Sequence, residues 1–207
     1  MKKSVSVILA LFLLVGIGLV YAGNRNGQDN DIVDQIADRC ASLSSMKCDF
    51  RQVRTVPLMD EPQVSGGHMI YKQPSSLKWV YTEPYSYSFT IDNDNISIDT
   101  EQGHTDIGSD ASRMFKGLAG IVLGCMSGQN LKDKRLFQTT VTEQDGQWVA
   151  VLIPQRRDMK RVFSEIIMVF DPGTSLLSSF VMKDQNGGCT EIEVSNVSIN
   201  GNYETDR

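Results

Sequence analysis

Between residues 67 and 91 large apolar side chains keep returning at every second position. Leu77, Trp79 and Tyr81 alternate with Lys78, Val80 and Thr82, and Tyr85, Tyr87, Phe89 and Ile91 alternate with Ser86, Ser88, Thr90 and Asp92. A period of two sends the large groups to one sheet face and the polar groups to the other. Gln73-Pro74-Ser75 and Glu83-Pro84 interrupt the runs, so proline stands at the joints, where it removes no donor from a strand interior. The pattern predicts an antiparallel meander with one face rich in aromatic surface, which is either a core or a greasy cavity.

The same period marks a first strand in which Met46, Cys48, Phe50 and Gln52 alternate with Lys47, Asp49, Arg51 and Val53. A second strand is expected over residues 64–72, with Gly66-Gly67 inside it marking a bulge, a bend or a close approach. Asp92-Asn93-Asp94-Asn95 is a turn leading to a short strand over residues 96–99. Asp145-Gly146 and Asp171-Pro172-Gly173 each join two strand-like runs, residues 154–160 read as a basic loop, and Asn186-Gly187-Gly188 turns into a last strand over 190–194. Two segments have a helical period instead. Ile32, Val33, Ile36, Ala37, Cys40 and Leu43 follow a cap at Asn30 or Asp31. Ala111, Met114, Phe115, Leu118, Val122 and Cys125 define a second helix over about residues 110–123. Gly117 and Gly120 inside it cost about 0.5–1 kcal/mol each relative to alanine, so its stability must come from docking. About ten strands and two helices in one unit predict an α+β fold. Its long antiparallel sheet curls as twist accumulates, and helices cover the concave apolar face.

Residues 1–22 stand apart. Lys2 and Lys3 precede a continuous apolar run over residues 5–20, and Val20-Tyr21-Ala22 ends it ahead of Gly23 and a polar stretch. That order predicts a secretory signal peptide cleaved after Ala22, leaving residues 23–207 as a single domain. The chain carries a net charge of −5. Its 20 basic residues, less Lys2 and Lys3, stand against 25 acidic ones, a balance of −7 for residues 23–207. An acidic domain is repelled by nucleic acid and by anionic membrane surfaces. Four cysteines, Cys40, Cys48, Cys125 and Cys189, permit two disulfides in three pairings or serve as small buried hydrophobes, and their spacing contains no CxxC.

Catalytic patterns are missing. His68 and His104 are the only histidines and form neither HExxH nor HxH, and no GxSxG elbow, Walker loop or GxGxxG occurs. Asp92 with Asp94 and Glu191 with Glu193 sit in a turn and on one strand face, not across a cleft. The sequence argues against an enzyme and assigns no catalytic residue, metal or cofactor.

Taken in order, these parts resemble the LolA family of periplasmic outer-membrane lipoprotein carriers. The likeness is carried by Met46, Cys48, Phe50 and Gln52, by the glycine-bearing strand from Ser65 to the corner at Gln73-Pro74, and by Leu77-Lys78-Trp79-Val80-Tyr81 with Glu83-Pro84. It continues in Asp184-Gln185-Asn186-Gly187-Gly188 with Thr190-Glu191-Ile192, and in Asn196-Val197-Ser198-Ile199-Asn200. The resemblance implies an incomplete, half β-barrel with a helical lid over an apolar cavity. Phe50, Met69, Tyr71, Leu77, Trp79, Tyr81, Tyr87 and Phe89 would line it from the sheet, and Met114, Phe115 and Leu118 from the second helix. The family's lid-latch arginine is Gln73 here, and glutamine offers two N–H donors and no charge in place of a five-donor cationic fork. The implied function is a monomeric periplasmic carrier in a Gram-negative bacterium that shields the acyl chains of lipoproteins between an inner-membrane donor complex and an outer-membrane receptor. It would act without a cofactor and without stable membrane insertion. The alternatives are a carrier of another acylated lipid, an envelope-stress or lipoprotein sensor module of the same fold, and a structural domain with a filled core.

Overall fold

A computed structural model describes residues 26–92, 95–106, 124 and 129–203. Helix α1 (Asn26–Ala41) leads into β1 (Ser45–Thr55), β2 (Gln63–Lys72), β3 (Ser76–Glu83), β4 (Tyr87–Asp92), β5 (Asn95–Thr100) and β6 (Gly103–Asp106). After a short α2 (Gln129–Lys132) come β7 (Phe137–Gln144), β8 (Gln147–Pro154), α3 (Arg157–Lys160), β9 (Phe163–Asp171), β10 (Leu176–Asp184) and β11 (Cys189–Ile199). The expected signal peptide, the second apolar helix with Met114, Phe115 and Leu118, and Cys125 lie outside the described residues.

One antiparallel sheet contains all eleven strands, in the order β6-β5-β4-β3-β2-β1-β11-β10-β9-β8-β7. It consists of two meanders, β1 to β6 and β7 to β11, and the pairing of β1 with β11 joins them at the centre. β6 and β7 end up at opposite edges, so the sheet curls without closing. The eleventh strand, β6, escapes the periodicity because all four of its residues are exposed and it carries no apolar alternation. His104 steadies it from the side chains: Nδ1 lies 2.7 Å from Asp99 Oδ1 on β5 and Nε2 lies 3.2 Å from Asp106 Oδ1.

Other boundaries move for similar reasons. α1 begins at Asn26, ahead of the cap expected at Asn30 or Asp31, since its polar first turn has no apolar residue to reveal it. The basic segment after Pro154 contains one helical turn, α3. β4 starts at Tyr87, so Tyr85 lies in the preceding loop and is 77 % exposed. Ser88 is buried although alternation puts it on the polar side. It is small and sits between Val80 of β3 and Asp99 of β5.

The glycine pair inside β2 is both a bulge and a close approach. Pairing between β2 and β3 shifts register between Gly66 and Gly67. A Cβ on Gly67 would stand 1.9 Å from the carbonyl oxygen of Val80. The missing side chain lets β3 come in close here, with Phe50 and Tyr81 opposite Gly67 on either side.

One contiguous core covers much of the concave face. Ile32, Ile36 and Cys40 of α1 belong to one buried cluster with Met46 and Cys48 of β1, Met69 and Tyr71 of β2, Leu77 of β3 and Ile166, Met168 and Phe170 of β9, and the cluster runs on to Phe50, Trp79, Tyr81, Phe180 and Ile192. The C-terminal end of α1 is tied to the β2–β3 corner, where Gln73 donates from its side-chain Nε2 to the Ala41 carbonyl (3.1 Å) and from its backbone to Ser44 (3.0 Å). Asn200 fastens the same corner by accepting from the Ser44 N–H at 2.8 Å. Cys40, Cys48 and Cys189 carry free thiols, which removes the reading of two disulfides. Burial pushes the Cys40 thiol up to about 11 and the Cys48 thiol up to about 12, so both act as neutral hydrophobes.

Candidate functional site: an apolar cavity with a polar end

The inward positions of β1 are Met46, Cys48, Phe50, Gln52 and Arg54, two residues apart. The first three are buried, Gln52 is half-buried and Arg54 is exposed. Filling stops after Phe50, and a hollow opens beyond it. This cavity of about 870 Å³ falls in the roughly 300–1,000 Å³ range of small-molecule sites. Among the described residues its apolar wall is formed by Trp79, Phe89, Ile98, Phe180, Met182 and Ile192, with Tyr81, Tyr85, Tyr87 and Pro84 beside them. Its polar wall is formed by Gln52, Arg54, Gln63, Ser65, Glu83 and Thr190.

The rings are mutually supported. Trp79 stacks on Phe89 with centroids 6.0 Å apart and meets Phe180 edge-on at 6.4 Å. Tyr81 stacks on Tyr87 at 4.4 Å, and Phe50 braces both Trp79 (4.9 Å) and Tyr81 (5.1 Å) from behind. The indole Nε1 of Trp79 is buried and has no hydrogen-bond partner among the described residues.

The polar wall is ordered by register. Arg54 stands between Gln63 of β2 and Thr190 of β11. One step deeper, Gln52 stands between Ser65 and Ile192. The Tyr81 hydroxyl donates to Gln52 Oε1 at 3.0 Å, and Gln52 Nε2 donates to Ser65 Oγ at 3.4 Å, so both ends of that amide are engaged. Burial holds the Tyr81 phenol above its ordinary pKa, with Tyr87 adding to the rise, while Arg54 and Gln52 pull it down. Arg54 has one ion pair among the described residues, to Asp184 at 3.7 Å, with 47 % of its side chain exposed.

Of the eight sheet residues expected at a cavity, Trp79, Tyr81, Tyr87 and Phe89 lie on its wall. Met69, Tyr71 and Leu77 do not. They are 2 %, 1 % and 0 % exposed and pack into the filled core shared with α1. Phe50 lies at the border, behind the rings. Ile98, Phe180, Met182 and Ile192 also stand on the wall, and the sequence pattern places their strands without singling out these positions. It also passed over Gln52 and Arg54 as wall residues, although both stand in phase with Phe50. At the lid-latch position, Gln73 touches the end of α1 through one side-chain hydrogen bond. No three His, Cys, Asp or Glu side chains among the described residues converge as metal ligands.

Fold and hollow together define the class: an unclosed antiparallel half-barrel with a cavity on its concave face, apolar along one wall. The family model described as outer membrane lipoprotein carrier protein LolA matches residues 41–207, and the chain belongs to that family. An outer-membrane lipoprotein carrier protein of Methylobacillus flagellatus is 24 % identical over 171 residues, spanning 82 % of this chain and 80 % of that one. Among solved structures, the lipoprotein LppX of Mycobacterium tuberculosis superposes with a TM-score of 0.52 at 16 % identity, covering 87 % of this chain and all of the other. MucB superposes with a TM-score of 0.52 at 10 % identity over 89 % of this chain and 63 % of its own. At such identities the two structures share the fold with this chain.

Proposed function

We propose that the protein is a carrier that shelters the acyl chains of lipoproteins in its cavity and takes them across the periplasm, from the inner to the outer membrane. The observation that carries this reading is the aromatic-walled cavity of about 870 Å³ in a chain of the LolA family. Each buried CH₂ is worth about 0.8 kcal/mol, so an acyl chain of ordinary length costs on the order of 10 kcal/mol when left in water. A shuttle must remove that cost in transit and still let go. Stacked rings and Met182 suit a flexible guest, because they offer surface that repacks without fixed hydrogen-bond geometry. Transfer needs no catalytic residue and no cofactor. Direction follows from the relative affinities of an inner-membrane donor, this protein and an outer-membrane receptor. Export after removal of residues 1–22 places residues 23–207 in the periplasm as one domain, which N-terminal sequencing of the exported protein checks.

The decisive experiment is lipid identification on protein purified without detergent, paired with titration of a fluorescent fatty acid. The chain has two tryptophans, so a Trp148→Phe background leaves Trp79 as the sole indole reporter. Bound acyl lipid in the extract and a Trp79 emission change that Phe89→Asp abolishes are the expected results. An empty extract with no probe binding would end the carrier reading.

A further inference from the structure

We infer that Arg54 is a selectivity residue: the cavity takes an amphiphile with an anionic group, carboxylate or phosphate, which Arg54 holds while the hydrocarbon lies along the Trp79–Phe89 wall. The inference rests on the carrier reading and narrows its cargo. Its basis is the gradient along one strand face. Phe50, Gln52 and Arg54 occupy successive inward positions of β1, and the last two line the cavity together with their cross-strand neighbours Gln63, Ser65 and Thr190. An amphiphile laid along this gradient has its tail against the rings and its head at Arg54.

Among these groups Arg54 alone carries a charge, and it has donors to spare. Gln52 is engaged at both ends, by Tyr81 and Ser65. A guanidinium has five N–H donors in a planar fork that matches carboxylate or phosphate oxygens two at a time. Against that capacity its one ion pair among the described residues is a single long contact to Asp184, 3.7 Å, which a bound anion can replace. Glu83 also lines the cavity, but it belongs to β3 and pairs with Gly66, away from the Gln63–Arg54–Thr190 row. The apolar wall supplies affinity for any chain of sufficient length, and the arginine makes the site discriminate by charge. Acyl chains joined to a protein through ester or amide bonds carry no charge at the linkage. A lipoprotein would therefore need to bring its anion on the attached peptide, whereas a free acidic lipid already has one.

The test displaces a neutral fluorescent probe, N-phenyl-1-naphthylamine, from the full exported protein with four competitors: hexadecanoate, hexadecyl phosphate, hexadecanol and inorganic phosphate. The two anionic amphiphiles should bind about tenfold or more tighter than hexadecanol, as a charge-assisted pair allows. Inorganic phosphate should not compete. Arg54→Gln should bring the anions to near parity with hexadecanol and leave hexadecanol unchanged. Asp184→Asn should move the anions the other way, tightening them roughly two- to fivefold by removing the competing carboxylate. Equal binding of hexadecanol and hexadecanoate by the unaltered protein would overturn the inference and leave the carrier reading standing. So would a charge preference that survives Arg54→Gln, or competition by inorganic phosphate as strong as that of its hexadecyl ester. Failure of every amphiphile to bind would overturn both. Arg54 is an exposed residue with one weak pair, so the variant is expected to fold, and an unchanged circular dichroism spectrum checks that it does.

Discussion

The two ends of the concave face are made from the same strands and behave as different materials. On β3, Leu77 is fully enclosed and Trp79 and Tyr81 are nearly so, while Glu83, two positions further, stands exposed at the cavity. On β2, Tyr71 and Met69 belong to the filled end, and Ser65 and Gln63 belong to the hollow one. The same strands run through both ends, with the β2 bulge at Gly66–Gly67 between them. Among the described residues, the filled end is where α1 arrives: Gln73 meets Ala41 there, and Ile32, Ile36 and Cys40 join the core. An alternating strand specifies which side chains share a face. A separate element decides whether that face becomes core or container.

Substitutions should therefore split by location, and the largest effect falls on the boundary. Gly67 faces Phe50 and Tyr81, and a Cβ there meets a carbonyl oxygen at 1.9 Å, in backbone that cannot swing aside. Gly67→Ala should force β2 and β3 apart, cost several kcal/mol in a denaturant titration and disturb both ends together. Next comes the contrast itself. Leu77→Ala should cost about 2–5 kcal/mol, because the enclosed site cannot collapse around the missing atoms. Binding of a fluorescent fatty acid by the molecules that remain folded should hold. Phe89→Ala should reverse the pattern: half-buried at the hollow, it should cost less stability than Leu77→Ala and weaken probe binding several-fold. Equal stability losses from the two variants, with equal loss of binding, would mean that the ends are not distinct.

This division explains what the sequence disclosed. The period of two in β3 and β4 located Trp79, Tyr81, Tyr87 and Phe89, because aromatic residues in phase are visible without any knowledge of neighbours. Met69, Tyr71 and Leu77 have the same phase and were expected to line a cavity. They share a buried cluster with Ile32, Ile36 and Cys40 of α1, some 30 residues or more away along the chain, and no local period encodes that docking. Arg54 and Gln52 were legible only as a fading pattern, since polar residues on an inward face look like the end of a buried strand. Strand β6 had no apolar residue to announce it. The corner at Gln73 was identified by likeness to a family, while its contact with Ala41 is a three-dimensional fact.

That contact predicts a smaller effect confined to the filled end. Gln73→Ala removes one exposed side-chain hydrogen bond to the last carbonyl of α1 and should cost about 0.5–1.5 kcal/mol. Hydrogen exchange in the last turn of α1 should quicken while amides of β4 and β5 beside the cavity stay as they were. Quickening of both regions alike would show that α1 and the cavity wall open as one unit.

The smallest effect belongs to the edge strand β6, next to the cavity. β6 pairs with β5 so that Thr105 lies opposite Ile98, a cavity-wall residue, and His104 bridges Asp99 and Asp106 across the same hairpin. Hydrogen bonds from its ring to both carboxylates, Asp99 first, hold the His104 pKa above its ordinary value. Because the folded value is raised, the stabilisation is complete below the unfolded value of about 6.5 and is lost as pH rises through the higher folded one. The side chain is exposed, so the effect is local. After correction for intrinsic rates, amides of Gly103–Asp106 should exchange faster at about pH 9 than at about pH 6, and His104→Gln should erase the difference. Amides around Leu77 at the filled end should not respond to pH in this way. A pH response shared by both ends would place its origin elsewhere than the His104 bridge and would couple the edge strand to the core.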